Sequence, residues 1–417
     1  MKYRLITIFK KIIGTTVFAN FVNLSSIQIS NSLLIVLIYP IITRIVGIEE
    51  FGFVGLANTF AGLSGMVINY GTNQSAVRDI ARAKANPEEI SRIFYNTLFI
   101  RVIIFILFLV GFFFLQWLNI KYYSFLLLAI PLVLAEVLNP LFFYLGKENL
   151  NSFNIANLIS RIAILILIIV IIKGPNDSKW VNFIMGTVNT ITYGCLLIYA
   201  IVKFQLSCRA PQKQVLLKTC KENFFLTGNN ISVQLQQSIM IFSIGKWGTA
   251  SWLGAYWLCD KIVWSSRLLI SSISNSMYPK AAHLYQEGNE VWQKFMKRTK
   301  GLLTISFFGF SLALFFLAEP IIHIIVGNPD PTAISLLKIM AFVPTVAALN
   351  SLNVVDLLLK NDNVSIFRIA MILLVLAILL SVMFVITAQV QLFGYYILII
   401  DLCGLLMYEY VVKRSFK

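Results

Sequence analysis

Apolar runs long enough to cross a bilayer recur along the whole of this chain, and that one feature excludes most folds. A helix needs about 20 apolar residues to traverse roughly 30 Å of hydrocarbon. Such stretches can be marked at 20–43, 52–70, 93–115, 122–145, 153–172 and 181–202. A second set follows at 224–245, 253–277, 301–322, 333–358, 365–388 and 393–412. They take up over half of the 417 residues, so no soluble domain fits between them. Composition agrees: only 12% of the residues are charged, against roughly 25% in a soluble protein. Backbone polar groups in lipid must be satisfied within each segment. The expected class is therefore an all-α polytopic membrane protein of about 12 transmembrane helices.

A formal charge of +16 would suggest a nucleic-acid partner in a soluble chain. Here it reads as topology, because Lys and Arg are retained on the cytoplasmic side. Basic residues gather before the first span (Lys2, Arg4, Lys10, Lys11) and after the second (Arg78, Arg82, Lys84, Arg92). They gather again after the sixth (Lys203, Arg209, Lys213, Lys218, Lys221) and the eighth (Lys280, Lys294, Lys297, Arg298, Lys300). The opposite side holds only Arg44, Lys121, Lys173, Lys179 and Lys246. Both termini are thus expected in the cytoplasm, with no nucleic-acid partner. Residues 1–19 mix basic and apolar positions and read as an interfacial lead-in. The basic stretch 203–223 reads as a cytoplasmic linker between an N-terminal lobe (20–202) and a C-terminal lobe (224–412). Residues 413–417 form a cytoplasmic tail.

Six spans followed by six, each set entering from the cytoplasm, suggest a duplicated unit. A shift of about 202 positions sets Gly52 against Gly254, Asn58 against Asp260, Asn73 against Asn275 and Arg78 against Lys280.

The first span of each set is unusually polar. Asn20, Asn23, Gln28 and Asn31 lie in one, and Asn229, Asn230, Gln234, Gln236 and Gln237 in the other, each among several serines. Amides in hydrocarbon are costly unless they are paired or face water. Hydrogen bonding between helices accounts for two or three such residues; this many, repeated in both sets, favours a hydrated cavity. In the span 253–277, Asp260, Trp264, Arg267 and Ser271 share one stripe at helical spacing, with Lys261 beside it. Glu136, between Pro131 and Pro140, is a second mid-depth charge. Intramembrane charges mark either function or a structural ion pair. Arg101 and Arg161 lie near enough to the inner surface to snorkel.

Enzymatic signatures are missing. His283 and His323 sit in no metal-ligand spacing, no GxxxxGK[ST] phosphate loop occurs, and the five cysteines form no CxxC pattern. No cofactor is expected. Asp260 and Glu136 are the candidates for coupling transport to a proton or sodium ion.

RIVGIEEFGFVGLANTF at 44–60, YGTNQSAVRDIARAKANPEEISRIF at 70–94 and SMYPKAAHLYQEG at 276–288 give the chain a family likeness. It resembles the Wzx-type polysaccharide-unit flippases of the multidrug/oligosaccharidyl-lipid/polysaccharide (MOP) exporter superfamily. That resemblance implies two six-helix lobes related by pseudo-twofold symmetry around a central cavity. It also implies a substrate, an undecaprenyl-pyrophosphate-linked oligosaccharide unit of O-antigen or a related surface polysaccharide. The unit would be moved to the periplasmic leaflet of a bacterial inner membrane, with polysaccharide polymerase and chain-length proteins as further partners. Carried over, it makes Arg44, Lys261 and Arg267 candidates for the pyrophosphate, and Gln28, Asn31, Asn230, Gln234 and Gln237 candidates for the sugars. Rival readings are a multidrug exporter of the same superfamily, whose cavity should be net acidic, and a peptidoglycan-precursor flippase, usually of fourteen spans. A membrane glycan polymerase would need a sizeable outer loop, and no expected outer loop exceeds about a dozen residues.

Overall fold

A computed structural model describes residues 37–83, 86–118, 122–208, 213–360 and 362–414. The lead-in 1–19, most of the first span, and with them Gln28 and Asn31, lie outside the described residues. Every regular element among the described residues is helical. They are α1 (Tyr39–Val46), α2 (Ile48–Asn69), α3 (Thr72–Arg82), α4 (Pro87–Phe114), α5 (Tyr123–Leu128), α6 (Ile130–Leu138), α7 (Leu141–Gly146), α8 (Asn151–Ile171) and α9 (Trp180–Lys203). There follow α10 (Lys213–Trp247), α11 (Ala250–Glu287), α12 (Asn289–Phe316), α13 (Ala318–Val326), α14 (Pro331–Met340), α15 (Val343–Leu359), α16 (Asn363–Ile386) and α17 (Val390–Arg414).

Nine segments among the described residues are long and apolar enough to cross a membrane. They match the expected spans except the first, seventh and eighth. The seventh and eighth are present as α10, of 35 residues, and α11, of 38. At 1.5 Å per residue they are about 52 Å and about 57 Å long, ample for a bilayer. Their polar residues, not their length, set them apart from the other nine. α10 also starts ten residues inside the stretch read as linker, since Lys213–Glu222 is already helical.

Three expected spans are interrupted, and proline chemistry explains each. Pro131 and Pro140 divide 122–145 into α5, α6 and α7, because proline lacks an N–H and its ring clashes with the carbonyl four residues back. Pro344 sits in the first turn of α15, just past the break after α14. Pro320 accounts in the same way for the end of α12 at Phe316. The NPDP turn becomes a cap: the Asp330 carboxylate accepts from the Ala333 N–H at 2.8 Å, with Pro331 opening α14. The GPNDS turn is tied down by Ser178, whose hydroxyl donates to Glu50 at 2.5 Å.

Two compact units arise among the described residues, one from 64–170 and 182–227, the other from 37–63, 171–181 and 228–414. The first has an aromatic core of Phe94, Phe142, Phe143, Tyr144, Phe153 and Tyr193, all buried. Phe94 and Phe143 meet edge to face at 5.2 Å. Beside this core lies Arg101, 0% exposed. Its Nε donates to Thr72 Oγ1 at 2.9 Å, its Nη1 to the Asn139 carbonyl at 2.8 Å and its Nη2 to Asn73 Oδ1 at 2.9 Å. Weaker bonds reach the Glu136 carbonyl and Asn69 Oδ1. The snorkelling expected of Arg101 does not occur, because five acceptors drawn from α2, α3, α6 and the Asn139 corner replace water around its guanidinium.

In the second unit, α2 and α11 cross backbone to backbone. A Cβ on Gly52 would stand 2.6 Å from the Gly254 nitrogen, so the two glycines paired by the 202-residue shift touch one another. A Cβ on Gly254 would collide with the Ile48 carbonyl, and one on Gly55 with the Trp257 ring. Trp257, Phe51 and Tyr39 close over the crossing, with the Phe51 and Trp257 rings 4.5 Å apart.

Candidate functional site

The polarity that sets α10 and α11 apart is directed into two adjoining cavities within the second unit. The first, of about 180 Å³, is lined by Asn58, Thr59, Gln234, Gln237, Asp260 and Lys261. It therefore unites four residues singled out from the sequence with Asn58, the position that the internal shift set opposite Asp260. Lys261 Nζ lies 3.2 Å from Asp260 Oδ2 and 5.6 Å above the Trp257 ring. The two charges neutralise each other while the neighbouring amides supply uncharged donors and acceptors. Gln234 spends its amide nitrogen weakly, on Ser238 Oγ at 3.3 Å.

The second cavity, of about 170 Å³, is lined by Gln236, Gln237, Arg267, Asn350, Asp401 and Tyr408. Gln237 and Ile397 border both. Arg267 Nη2 donates to Asp401 Oδ2 at 2.5 Å. Asn350 Nδ2 donates to the Asp401 carbonyl at 2.8 Å, which fixes α17 against α15 at this depth. Gln236 is held at both ends: its side chain donates to the Ala370 carbonyl at 2.8 Å, and its own carbonyl accepts from Tyr396 at 2.6 Å. Arg267 Nε and Asn350 Oδ1 are buried without a hydrogen-bond partner.

The remaining candidates fall elsewhere. Arg44, exposed in the last turn of α1, donates to the Ile324 carbonyl of α13. It thereby satisfies one of the orphan carbonyls at that helix end, and it lines a largely apolar cavity of about 480 Å³ with Pro40, Ile41, Ile262, Ile321 and Ile324. Asn230 is half-buried on α10 and lines neither polar cavity. Glu136 belongs to the first unit, where it packs against Gly65 and receives a long hydrogen bond of 3.4 Å from Asn139. It sits beside the Arg101 network, where its main-chain carbonyl accepts from Arg101 Nη1.

Sequence reasoning missed Asp401 and Asn350. The signal for Asp401 was available: it is the sole charged residue in the apolar run FGYYILIIDLCGLLM. Counting it completes the charge balance of the site. The two cavities hold two bases, Lys261 and Arg267, and two acids, Asp260 and Asp401, so they are neutral rather than cationic.

Among solved structures, the lipid II flippase MurJ in an inward closed conformation matches with a TM-score of 0.70 at 16% identity, covering 95% of this chain and 87% of that one. A MOP superfamily transporter from Pyrococcus furiosus matches with a TM-score of 0.66 at 14% identity and 96% coverage of both chains. At these identities the likeness is one of fold. A protein of Escherichia coli (strain K12) named as an O-antigen transporter is 20% identical over 352 residues, 82% of this chain and 83% of that one. Its spans make the chain a multi-pass membrane protein, and its fold is that of the solved MOP superfamily transporter and of the lipid II flippase. The chain belongs to the polysaccharide biosynthesis protein family, whose pattern matches residues 17–284. That stretch contains the 44–60 and 70–94 segments on which the family resemblance was read.

Proposed function

We propose that this protein flips an undecaprenyl-pyrophosphate-linked oligosaccharide unit from the cytoplasmic to the periplasmic leaflet of a bacterial inner membrane. It does so by alternating access, with both termini in the cytoplasm. The observation that carries this reading is the pair of adjoining cavities that combine neutral amides with acid–base pairs at Lys261 and Arg267. Sugar hydroxyls both donate and accept, which suits Gln234, Gln237 and Asn58. A pyrophosphate needs cations that replace its water, since an unpaired charge in hydrocarbon is very costly, and Lys261 and Arg267 supply them once their carboxylates give way. Arg44 is a third candidate base and Asn230 a further candidate polar contact, as are Gln28 and Asn31, which lie outside the described residues. Asp260 and Glu136 are the groups through which a proton or sodium gradient would drive the cycle. A polymerase and chain-length proteins would consume the product at the outer face.

The experiment is deletion of the gene in its bacterial host, with surface polysaccharide and cytoplasmic-leaflet lipid-linked units assayed side by side. Loss of polymer with complete units accumulating inside is the expected outcome. Unchanged polymer with heightened sensitivity to cationic drugs would replace this reading with that of a multidrug exporter, for which Asp260 and Asp401 are the carboxylates to test.

A further inference from the structure

Arg267 makes a single hydrogen bond, and its side chain borders a cavity. An arginine carries five N–H donors in a planar fork suited to two-point recognition of carboxylate or phosphate. A guanidinium retained only for structure inside a membrane would be expected to fill that fork, because each buried donor left open costs free energy. Arg267 instead makes one hydrogen bond, from Nη2 to Asp401 Oδ2 at 2.5 Å, and leaves Nε buried without an acceptor. Its side chain is 19% exposed and that of Asp401 14%, and both border the same 170 Å³ cavity. The two partners differ in freedom. Asp401 rides on a stretch of α17 tied down by the Asn350 hydrogen bond to its carbonyl and packed closely at Gly404, where an added Cβ would stand 3.2 Å from Leu373. Arg267 reaches it from α11 on a long, rotatable stem.

We propose that Asp401 is a built-in competitor for the substrate at Arg267. In the empty transporter its carboxylate occupies the position that a phosphoryl oxygen takes on loading. After reorientation it reclaims the guanidinium and helps to expel the substrate. The role rests on the flippase reading above and adds to it a residue that sets affinity without touching the substrate. An arginine without such a partner would hold a pyrophosphate too tightly to release it, whereas a displaceable carboxylate of like charge keeps binding reversible. Asn350 is the positioning residue, since its amide nitrogen holds the main chain from which Asp401 projects.

The test uses the full-length protein in lipid nanodiscs with inorganic pyrophosphate as the probe, binding being followed by calorimetry and folding by thermal melting. D401N is expected to bind pyrophosphate about tenfold more tightly than the parent, the scale of one charge-assisted hydrogen bond no longer contested, and to export polysaccharide more slowly. R267Q is expected to lose binding. Unchanged or weaker binding by a folded D401N, with R267Q still defective, overturns the competitor role and leaves the flippase reading standing. Absence of binding in parent and variants alike, together with normal export by R267Q, overturns both. Should D401N fail to fold, the charge-swapped R267D/D401R protein decides the matter. It retains an ion pair, so restored binding and export would make the pair merely structural, whereas a folded protein that neither binds nor exports supports the competitor role.

Discussion

Arg101 and Arg267 both carry a positive charge into apolar helices, and the protein treats them in opposite ways. Arg101 is fully enclosed, with every guanidinium nitrogen donated to an oxygen of its own unit and the Phe142 ring 4.9 Å beneath it. Arg267 sits at a cavity wall with one bond made and one buried donor idle. What separates a strut from a site here is the fraction of hydrogen-bonding capacity that the protein itself consumes. A saturated network has nothing left to offer a ligand, and a half-saturated one lining a void has both the vacancy and the reason to fill it.

The contrast breaks most visibly in stability. Arg101→Ala takes a donor from the oxygens of Thr72, Asn69 and Asn73 and from two main-chain carbonyls, in a place where little water can reach. The expected loss is on the order of 3–5 kcal/mol, read as a large fall in melting temperature in detergent and a collapse in the yield of inserted protein. A variant that melts with the parent would mean that the network is hydrated and that the distinction drawn from saturation fails.

Gly254→Ala comes next. The added methyl meets the Ile48 carbonyl, and backbone cannot swing aside as a side chain can. The crossing of α2 and α11 must open, at a cost of about 1–3 kcal/mol. Gly62, where an added Cβ meets nothing within 4 Å, serves as the control, and Gly62→Ala should melt with the parent. Equal effects at the two positions would show that the close crossing is not what the glycine at 254 is for.

These two cases also mark how far the sequence could be read. The spans were legible because membrane insertion is settled by composition, which a one-dimensional pattern records. So was the polar character of α10, since amides stand out in a sequence of apolar runs. That the paired glycines touch was not legible, because an offset says nothing of distance. Nor was the fate of Arg101: helical spacing gives depth along a helix, while enclosure depends on which carbonyls α6 and the Asn139 corner present to it. The proline breaks in 122–145 and 333–358 could have been anticipated from Pro131, Pro140 and Pro344, and reading those stretches as unbroken spans underweighted a known local rule. Asp401 was missed for a different reason. Attention to the polar helices passed over a single acid in an apolar one, although the same cost of burying a charge applies to both.

The smallest stability effect carries the sharpest functional contrast. Neutralising both members of the Arg267–Asp401 pair, as Arg267→Gln with Asp401→Asn, strands no charge, so stability should stay within about 1 kcal/mol of the parent. Export should nevertheless fall at least about tenfold, the worth of one charge-assisted contact to a phosphoryl oxygen. The matching manoeuvre is unavailable at Arg101, whose acceptors are amide, hydroxyl and main-chain oxygens that no single second substitution can silence. Stability kept and export lost at one arginine, with stability lost at the other, is the pattern that a strut and a site require. If the double variant keeps both its melting temperature and its surface polysaccharide, the Arg267 pair is a strut as well, only an incompletely satisfied one. The search for the pyrophosphate contact would then move to Lys261 and its partner Asp260, the other ion pair on the wall of these cavities.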